Sequence, residues 1–476
     1  MSKGDNKESY TKFRKEYPIF IYNSFHYSFS GNKINFGFEF ITDQNIIFRP
    51  FSSISVSNIP QNREIVLPLI ENIIFQIGMI ELISYWKATC SPTIIIKAGT
   101  LSETQVEWWK NLYYKGLGEF FYLNSIDVNY ADFVNIVSEG KHYYRDDSNN
   151  FLDEYIVPIG GGKDSAVTLE LLMRGVKKVH PLIMNPRGAT LKTVIAGGLQ
   201  TDDVIIIDRT IDPLLLKLNG RGFLNGHTPF SAMLAFYTLL ASAFTGYKHI
   251  ALSNESSANE ATIPGTDINH QYSKSVEFEQ NFRQYTAEYI NNNMNYFSFL
   301  RPFNELQIVS VFAGLDKYHQ VFKSCNVGSK TDSWCGSCPK CLFTHIMLSA
   351  FKGIKYADNI IGQPMLTNQH NIKYFDELTG FSAIKPFECV GTLLDVQTAM
   401  LMIVKNENNS DDENSDSSPL LVKRFKHKFK QGVHLIDDDI NSTNLHSPDK
   451  TEHFLNKEQL SILLEGLNLN TTGNLS

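Results

Sequence analysis

Cysteine is scarce in this chain, since 476 residues contain only six, and so few do not indicate a disulfide framework. Basic residues are not in excess: 43 Lys and Arg against 50 Asp and Glu give a net charge of −7, which argues against a general nucleic-acid binder. The polar start lacks the apolar core of a signal peptide. The longest apolar stretch, residues 65–86, is interrupted by Pro68, Glu71 and Glu81, so we expect a buried helix and no membrane span. Together these absences predict a cytoplasmic protein.

The organisation of the chain changes along its length. Residues 1–148 mix strand-like runs at 19–22 and 34–40 with a helical pattern at 69–88, which predicts an N-terminal α+β domain. Residues 149–404 alternate apolar strands with helical patterns, which predicts an α/β domain with a parallel sheet covered on both faces. The elements expected there are strands at 155–159, 179–184, 203–207 and 249–253 and helices at 164–175, 190–199 and 229–244.

The end of the chain is more polar. Residues 405–419 form a low-complexity run that cannot bury enough apolar surface to order itself, so we expect a flexible linker. Residues 420–476 then form a C-terminal tail segment. Its basic run, 423–430, is interpreted as a solvated face.

A glycine-rich turn between a predicted strand and a predicted helix contains the candidate cofactor-binding residues Gly160, Gly161, Gly162, Lys163, Asp164 and Ser165. Such a turn exposes backbone N–H groups at the positive end of a helix dipole, which together suit a phosphate. The Walker A spacing is absent, because Val157 stands where its first glycine is required, and Ser165 replaces the third glycine of the dinucleotide fingerprint. What remains resembles the loop of the PP-loop ATP pyrophosphatases, with Gly160 in place of the usual first serine. That resemblance implies cleavage of ATP between the α- and β-phosphates and transfer of AMP to a substrate oxygen.

Four of the six cysteines lie close together in the sequence: Cys325, Cys335, Cys338 and Cys341. Four thiolates at this spacing suit a tetrahedral zinc ion in a structural site. An iron–sulfur cluster is the alternative, since it uses the same ligands. Similar clusters occur in other PP-loop proteins, the 7-cyano-7-deazaguanine synthases.

Candidate acid–base residues follow the last predicted strand of the parallel sheet. They are Glu260, His270, Tyr272 and Lys274, and His227 lies in an earlier loop before a predicted helix. A polar loop after a parallel strand is a plausible place for a substrate. The sequence shows no partner for any of these side chains, so it does not distinguish the acid from the base.

Several motifs together resemble one family, the ATP-dependent UDP-N-acetylmuramoyl-L-alanyl-L-glutamate epimerases. The resemblance covers roughly residues 75–400 and rests on SYWK (84–87), WW (108–109), GLGEFFY (116–122), GGGKDS (160–165), NGHTP (225–229), SNE (253–255), SANE (257–260), NHQYSK (269–274) and WCGSCPKC (334–341). It implies a PP-loop fold of the adenine nucleotide alpha hydrolase type and inversion of the terminal L-glutamate of a peptidoglycan precursor, with ATP and Mg²⁺. Asp164 then either holds the magnesium ion or positions the loop.

Two other functions remain open at this point. The first is a PP-loop enzyme that modifies a nucleobase or tRNA by thiolation or nitrile formation, which the four cysteines support and the acidic balance opposes. The second is a nucleotide sensor without catalysis, which the intact Lys163-Asp164-Ser165 opposes. The expected partner is a small molecule, the UDP-muramoyl dipeptide, without a membrane or a nucleic acid, and the sequence gives no oligomeric state.

Overall fold

The computed structural model describes residues 6–57, 59–60, 64–176, 178–263, 266, 268–328, 331–382, 385–408, 418–430 and 451–473. Its strands are β1 (Ile19–Phe29), β2 (Lys33–Thr42), β3 (Ile47–Phe48), β4 (Phe51–Ser55), β5 (Thr93–Ile96), β6 (Asn135–Ser138), β7 (Leu152–Pro158), β8 (Val179–Met184), β9 (Ile205–Thr210), β10 (Tyr247–Leu252) and β11 (Asn295–Ser298).

The helices before and beside the parallel strands are α1 (Lys7–Glu16), α2 (Leu67–Trp86), α3 (Glu103–Gly116), α4 (Gly118–Leu123), α5 (Lys163–Gly175), α6 (Gly188–Ala196), α7 (Pro213–Asn219), α8 (Phe230–Thr245) and α9 (Val276–Tyr289). The later helices are α10 (Glu305–Ala313), α11 (Asp316–His319), α12 (Pro339–Lys352), α13 (Ile354–Ile361), α14 (Ile372–Thr379), α15 (Leu393–Asn408), α16 (Leu420–Lys430) and α17 (Lys457–Gly473). Each strand and helix predicted for the central region occurs, with ends displaced by a few residues, and the α/β class is confirmed.

Within the described residues the strands form a single mixed sheet, in the order β11-β10-β7-β8-β9-β4-β2-β1-β5-β6, with β3 paired to β2. Strands β11 to β9 are mutually parallel. Strand β4 then pairs antiparallel with β9, in a register that sets Ile54 opposite Ile207. The predicted boundary at 148/149 therefore separates two segments that share one sheet, and the division into domains stays a prediction.

The long apolar helix α2 lies inside the protein. By length and composition its 20 residues suffice to cross a membrane, but 83% of its apolar window is buried within the fold. Its Gly78 meets the aromatic ring and hydroxyl of Tyr22 so closely that no Cβ fits between them. The prediction of a buried helix at 69–88 is thus confirmed, with helix bounds two residues earlier at each end.

The predicted flexible linker, residues 405–419, is helical at its start. Residues 405–408 still belong to α15, residues 418–419 lead into α16, and residues 409–417 lie outside the described residues. Of the predicted tail, 431–450 and 474–476 also lie outside them, whereas α17 packs Leu463 into the core and sets Gly466 against Leu171 of α5.

The basic run 423–430 is part of α16 and is not simply a solvated face. Leu421, Val422 and Phe425 are buried at helical spacing, and the Arg424 guanidinium makes two hydrogen bonds of 2.7 and 2.6 Å to the Asp376 carboxylate of α14. The basic side chains at 423 and 427 are exposed, and the interpretation by charge did not include the apolar residues interleaved with them that anchor the helix.

Candidate functional site

A cavity of about 480 Å³ opens where parallel strands β7, β8 and β10 end at the same edge of the sheet. Strand β7 is buried at its last four positions, as expected for a strand in the middle of a sheet covered on both faces. Loops that follow adjacent parallel strands converge at their carboxyl ends, where ligands bind in folds of this kind. The cavity is therefore the candidate functional site.

The glycine-rich turn, residues 160–165, forms one wall and is called the phosphate loop. Gly161 has φ +79°, and a Cβ there would lie 3.1 Å from the backbone of Ala189, so this position requires glycine. Gly162 is the N-cap of α5, and the Ser165 hydroxyl donates to its carbonyl at 3.0 Å. Five of the six predicted loop residues line the cavity; Gly161 shapes the turn.

The lysine of the phosphate loop is buried between two carboxylates. Lys163 Nζ lies 2.5 Å from Asp164 Oδ1 and also pairs with Glu305, at the start of α10. Burial lowers the pKa of Lys163, but the two carboxylates outweigh it and raise the pKa. Burial also raises the pKa of Glu305, to about 8. Glu305 was not predicted, since nothing in its local sequence relates it to a loop so far away in the chain.

Further positive charge lines the cavity. Arg187, Lys274, Lys323 and Lys340 all line it, and Asp164 of the phosphate loop is an acidic group among them. The backbone N–H of Lys323 donates to the Gly161 carbonyl at 2.8 Å, which ties the segment of Lys323 to the phosphate loop. Cationic side chains around exposed N–H groups suit a polyphosphate.

Two of the predicted acid–base residues, His227 and His270, meet at a carboxylate that was not predicted. Glu119 of α4 is buried, its Oε2 faces Nδ1 of His270 in a close contact, and it lies 3.2 Å from Nδ1 of His227. We call Glu119, His227 and His270 the histidine cluster. The Lys87 ammonium fixes the loop that contains His227, because it donates to the His227 carbonyl at 2.9 Å and to Thr228 Oγ1 at 2.6 Å.

The two histidines differ in charge. Burial and the neighbouring His270 lower the pKa of His227 to about 4, so it is neutral. Burial also opposes the charge of His270, but hydrogen bonds to Cys389 and Glu119 raise its pKa to about 9. An imidazolium beside a carboxylate is typical of a proton relay.

Lys274, one of the candidate acid–base residues, lines the cavity and has an unexpected neighbour. Its Nζ lies 3.3 Å from the sulfur of Cys389, which also lines the cavity and is hydrogen-bonded to His270. Cys389 was counted in the sequence but given no role. The feature of the sequence that could have identified Cys389 is that it is one of two cysteines outside the four-cysteine motif.

The other two predicted acid–base residues have different partners. The Tyr272 hydroxyl lies 3.3 Å from Glu277 and 3.5 Å from Asn111, and Glu260 pairs with Lys385. Neither residue lines the cavity. Burial raises the pKa of Tyr272 above its ordinary value, which makes the phenol a poorer proton donor.

The four predicted metal ligands come together as the cysteine cluster, Cys325, Cys335, Cys338 and Cys341. Their sulfur atoms all lie within 4.8 Å of one another, with separations of 3.5, 3.7 and 4.0 Å for three of the pairs. Tetrahedral zinc with Zn–S bonds of about 2.3 Å requires sulfurs roughly 3.8 Å apart, so the arrangement fits that ion. Backbone N–H groups of Gly328 and Cys341 donate to these sulfurs, as suits thiolates.

The family models and the relatives that match this chain all indicate one family. The model of the MurL N-terminal domain matches residues 11–299, and that of the MurL C-terminal domain matches residues 321–427. A relative from Xanthomonas oryzae pv. oryzae (strain MAFF 311018) is 33% identical over 354 residues, which are 72% of this chain and 75% of its own. One from Micromonospora sp. (strain ATCC 39149 / NRRL 15099 / SCC 1413) is 32% identical over 335 residues, 69% of this chain and 74% of its own.

Both relatives are named UDP-N-acetyl-alpha-D-muramoyl-L-alanyl-L-glutamate epimerase, as is a third from Salinispora tropica that is 32% identical over 67% of this chain and 70% of its own. Both matched ranges contribute residues to the site. The first includes the phosphate loop and the histidine cluster, and the second includes the cysteine cluster and Cys389. The chain therefore belongs to the MurL family of epimerases.

Proposed function

We propose that this protein inverts the terminal L-glutamate of UDP-N-acetylmuramoyl-L-alanyl-L-glutamate to D-glutamate, through an acyl-adenylate formed from ATP, in peptidoglycan precursor synthesis. The names of the three relatives support the substrate. The observation that carries the mechanism is that one cavity joins the phosphate loop to Lys274 and Cys389. A nucleotide bound at the loop and an acyl group attached to it would share this space.

The chemistry explains why an epimerase needs a phosphate loop. Removal of the α-proton next to a carboxylate leaves two negative charges on neighbouring atoms, which is unfavourable. Transfer of AMP to the carboxylate removes one charge and makes Cα acidic, so a base can form an enolate. A proton delivered to the other face and hydrolysis of the adenylate then give the free D-acid.

In this proposal the phosphate loop binds the phosphates of ATP. The N–H groups of Gly160–Gly162 and the ammonium of Lys163 hold the pyrophosphate part, and Ser165 donates at the helix start. Asp164 lines the cavity with a partly exposed carboxylate, which suits it to hold Mg²⁺ or to position Lys163. Magnesium bound there would neutralise charge on the leaving pyrophosphate.

The cysteine cluster has a supporting role. A zinc ion held by four cysteines leaves no open position for substrate, so we assign it to structure, with an iron–sulfur cluster as the alternative. The cluster begins two residues after Lys323, whose N–H binds the phosphate loop. Metal at this point would therefore fix the wall that faces the nucleotide.

A direct experiment tests the function. The protein is incubated with ATP, Mg²⁺ and UDP-N-acetylmuramoyl-L-alanyl-L-glutamate, pyrophosphate is measured, and the glutamate of the product is resolved by chirality. We expect D-glutamate and pyrophosphate to appear together, and neither without the dipeptide substrate. Pyrophosphate release stimulated by a nucleobase or tRNA, without D-glutamate, would instead establish the nucleobase-modifying alternative. Since both substrates are nucleotides, a cytoplasmic location fits this reaction.

A further inference from the structure

Cys389 is surrounded by groups from three other parts of the chain. Lys274 Nζ lies 3.3 Å from its sulfur. His270 forms a hydrogen bond to the thiol, and Nδ1 of the same ring faces the buried Glu119, which leaves Nε2 for the sulfur. These contacts connect a carboxylate, an imidazole and a thiol in that order, with an ammonium group beside the sulfur.

These neighbours favour a thiolate at Cys389. Burial raises the pKa of a thiol, but Lys274, His270 and Lys340 outweigh it and hold the pKa of Cys389 well below its ordinary value. Glu388, next in the chain, is the acidic group that opposes them. A thiolate beside two cations in a partly exposed position is typical of a reactive cysteine.

Cys389 faces the space in which the proposed substrate would be adenylated. Cys389 is half-buried and lines the same cavity as Gly162, Lys163 and Ser165. His227 and His270 are not among the residues that line this cavity, and His270 contacts Cys389. The sulfur, which faces the cavity, is therefore better placed than either imidazole to take a proton from an acyl group there.

We propose, resting on the proposed function above, that Cys389 is the catalytic residue that removes the α-proton of the adenylated glutamate, with Lys274 and His270–Glu119 positioning its thiolate. The sulfur lone pair forms the S–H bond, the Cα–H bond breaks, and its electrons enter the carbonyl as the enolate. The thiol and the enolate together carry the proton and charge of the starting pair. A proton that originates in solvent water is added to Cα on the opposite face, which restores the carbonyl and gives the D-configuration, and the Cys389 thiol returns its proton to solvent.

The test separates the two half-reactions in Cys389→Ala and Cys389→Ser. With ATP, Mg²⁺ and the UDP-dipeptide in deuterium oxide, both variants should release pyrophosphate within a few-fold of the wild type. Inversion and deuterium uptake at Cα should fall by about 10²–10⁴-fold, the usual contribution of a general base. Cys90→Ala is the matched control, because Cys90 is buried elsewhere and does not line the cavity; it should retain both reactions.

Three results would overturn the proposal. The first is normal inversion in Cys389→Ala. The second is loss of pyrophosphate release in a folded Cys389→Ala, which would give the sulfur a role in binding. The third is a thioester between Cys389 and the substrate, found by mass spectrometry of acid-quenched wild-type protein, which would make it a nucleophile. Wild-type protein that yields neither pyrophosphate nor D-glutamate would instead overturn the proposed function itself.

Discussion

The phosphate loop and the surroundings of Cys389 face one cavity but are built in different ways. The loop is six consecutive residues whose shape follows from Gly161 at φ +79° and from the start of α5 at Lys163. The groups around Cys389 come from α4, from the loop near His270 and from the segment before α15, with 151 positions between Glu119 and His270 and 115 between Lys274 and Cys389. A local backbone motif defines the first site, whereas the second exists only once the whole sheet is assembled.

The largest effect on pyrophosphate release is expected at the loop, and it would sharpen this comparison. Asp164→Ala and Ser165→Ala should each reduce pyrophosphate release and inversion together by about 10²–10³-fold, because preorganised contacts to developing phosphate charge contribute that much each. Steady-state assays of both products measure the effect. Asp202→Ala, at an exposed position outside the cavity, is the matched control.

Near-normal turnover in both loop variants would remove the phosphate loop from the mechanism. Loss of inversion with pyrophosphate release preserved would be equally informative. It would mean that the loop acts in proton transfer. The assignment of activation to the loop and of proton removal to Cys389 would then be wrong.

A smaller effect on turnover is expected at the cysteine cluster, whose residues also lie near one another in sequence and of which Cys325 lines the cavity. The purified protein should contain about one zinc ion per chain, since the four thiolates form a closed site. Cys338→Ser should lose the metal and lower the midpoint of thermal unfolding, because binding to such a site is coupled to folding. Elemental analysis and a thermal melt measure both, with Cys90→Ala as the cysteine control.

Metal analysis also distinguishes the alternatives at this cluster. Iron in place of zinc would identify an iron–sulfur cluster. Protein with neither metal, and a Cys338→Ser variant as stable as the wild type, would contradict a metal role for these cysteines.

The sequence predicts best what depends on neighbouring residues. The alternation of strands and helices in the central region, the phosphate loop and the cysteine cluster are all visible in short stretches, and the structure reproduces their context. Helix α2 is also predictable, because Pro68, Glu71 and Glu81 within an apolar run distinguish a core helix from a membrane span. Its Glu81 is paired with Arg209 inside the fold.

What the sequence could not give is pairing at long range. Glu305 beside Lys163, Glu119 beside His270 and Cys389 beside Lys274 are each set by packing between distant elements. Closeness in sequence did not predict which polar residues share the cavity. Tyr272 lies within two residues of both His270 and Lys274, yet its hydroxyl contacts Glu277 and Asn111, and neither of these lines the cavity. Residue type and spacing predict candidates, and only the fold selects among them.

The central claim is that activation at the phosphate loop must precede proton removal in the same cavity. Incubation of the wild-type protein in deuterium oxide with Mg²⁺ and the UDP-dipeptide, with and without ATP, tests it most directly, with mass spectrometry and chiral analysis of the glutamate. The account predicts D-glutamate carrying deuterium at Cα when ATP is present, and neither exchange nor inversion when ATP is absent. Inversion that proceeds without ATP would contradict the account.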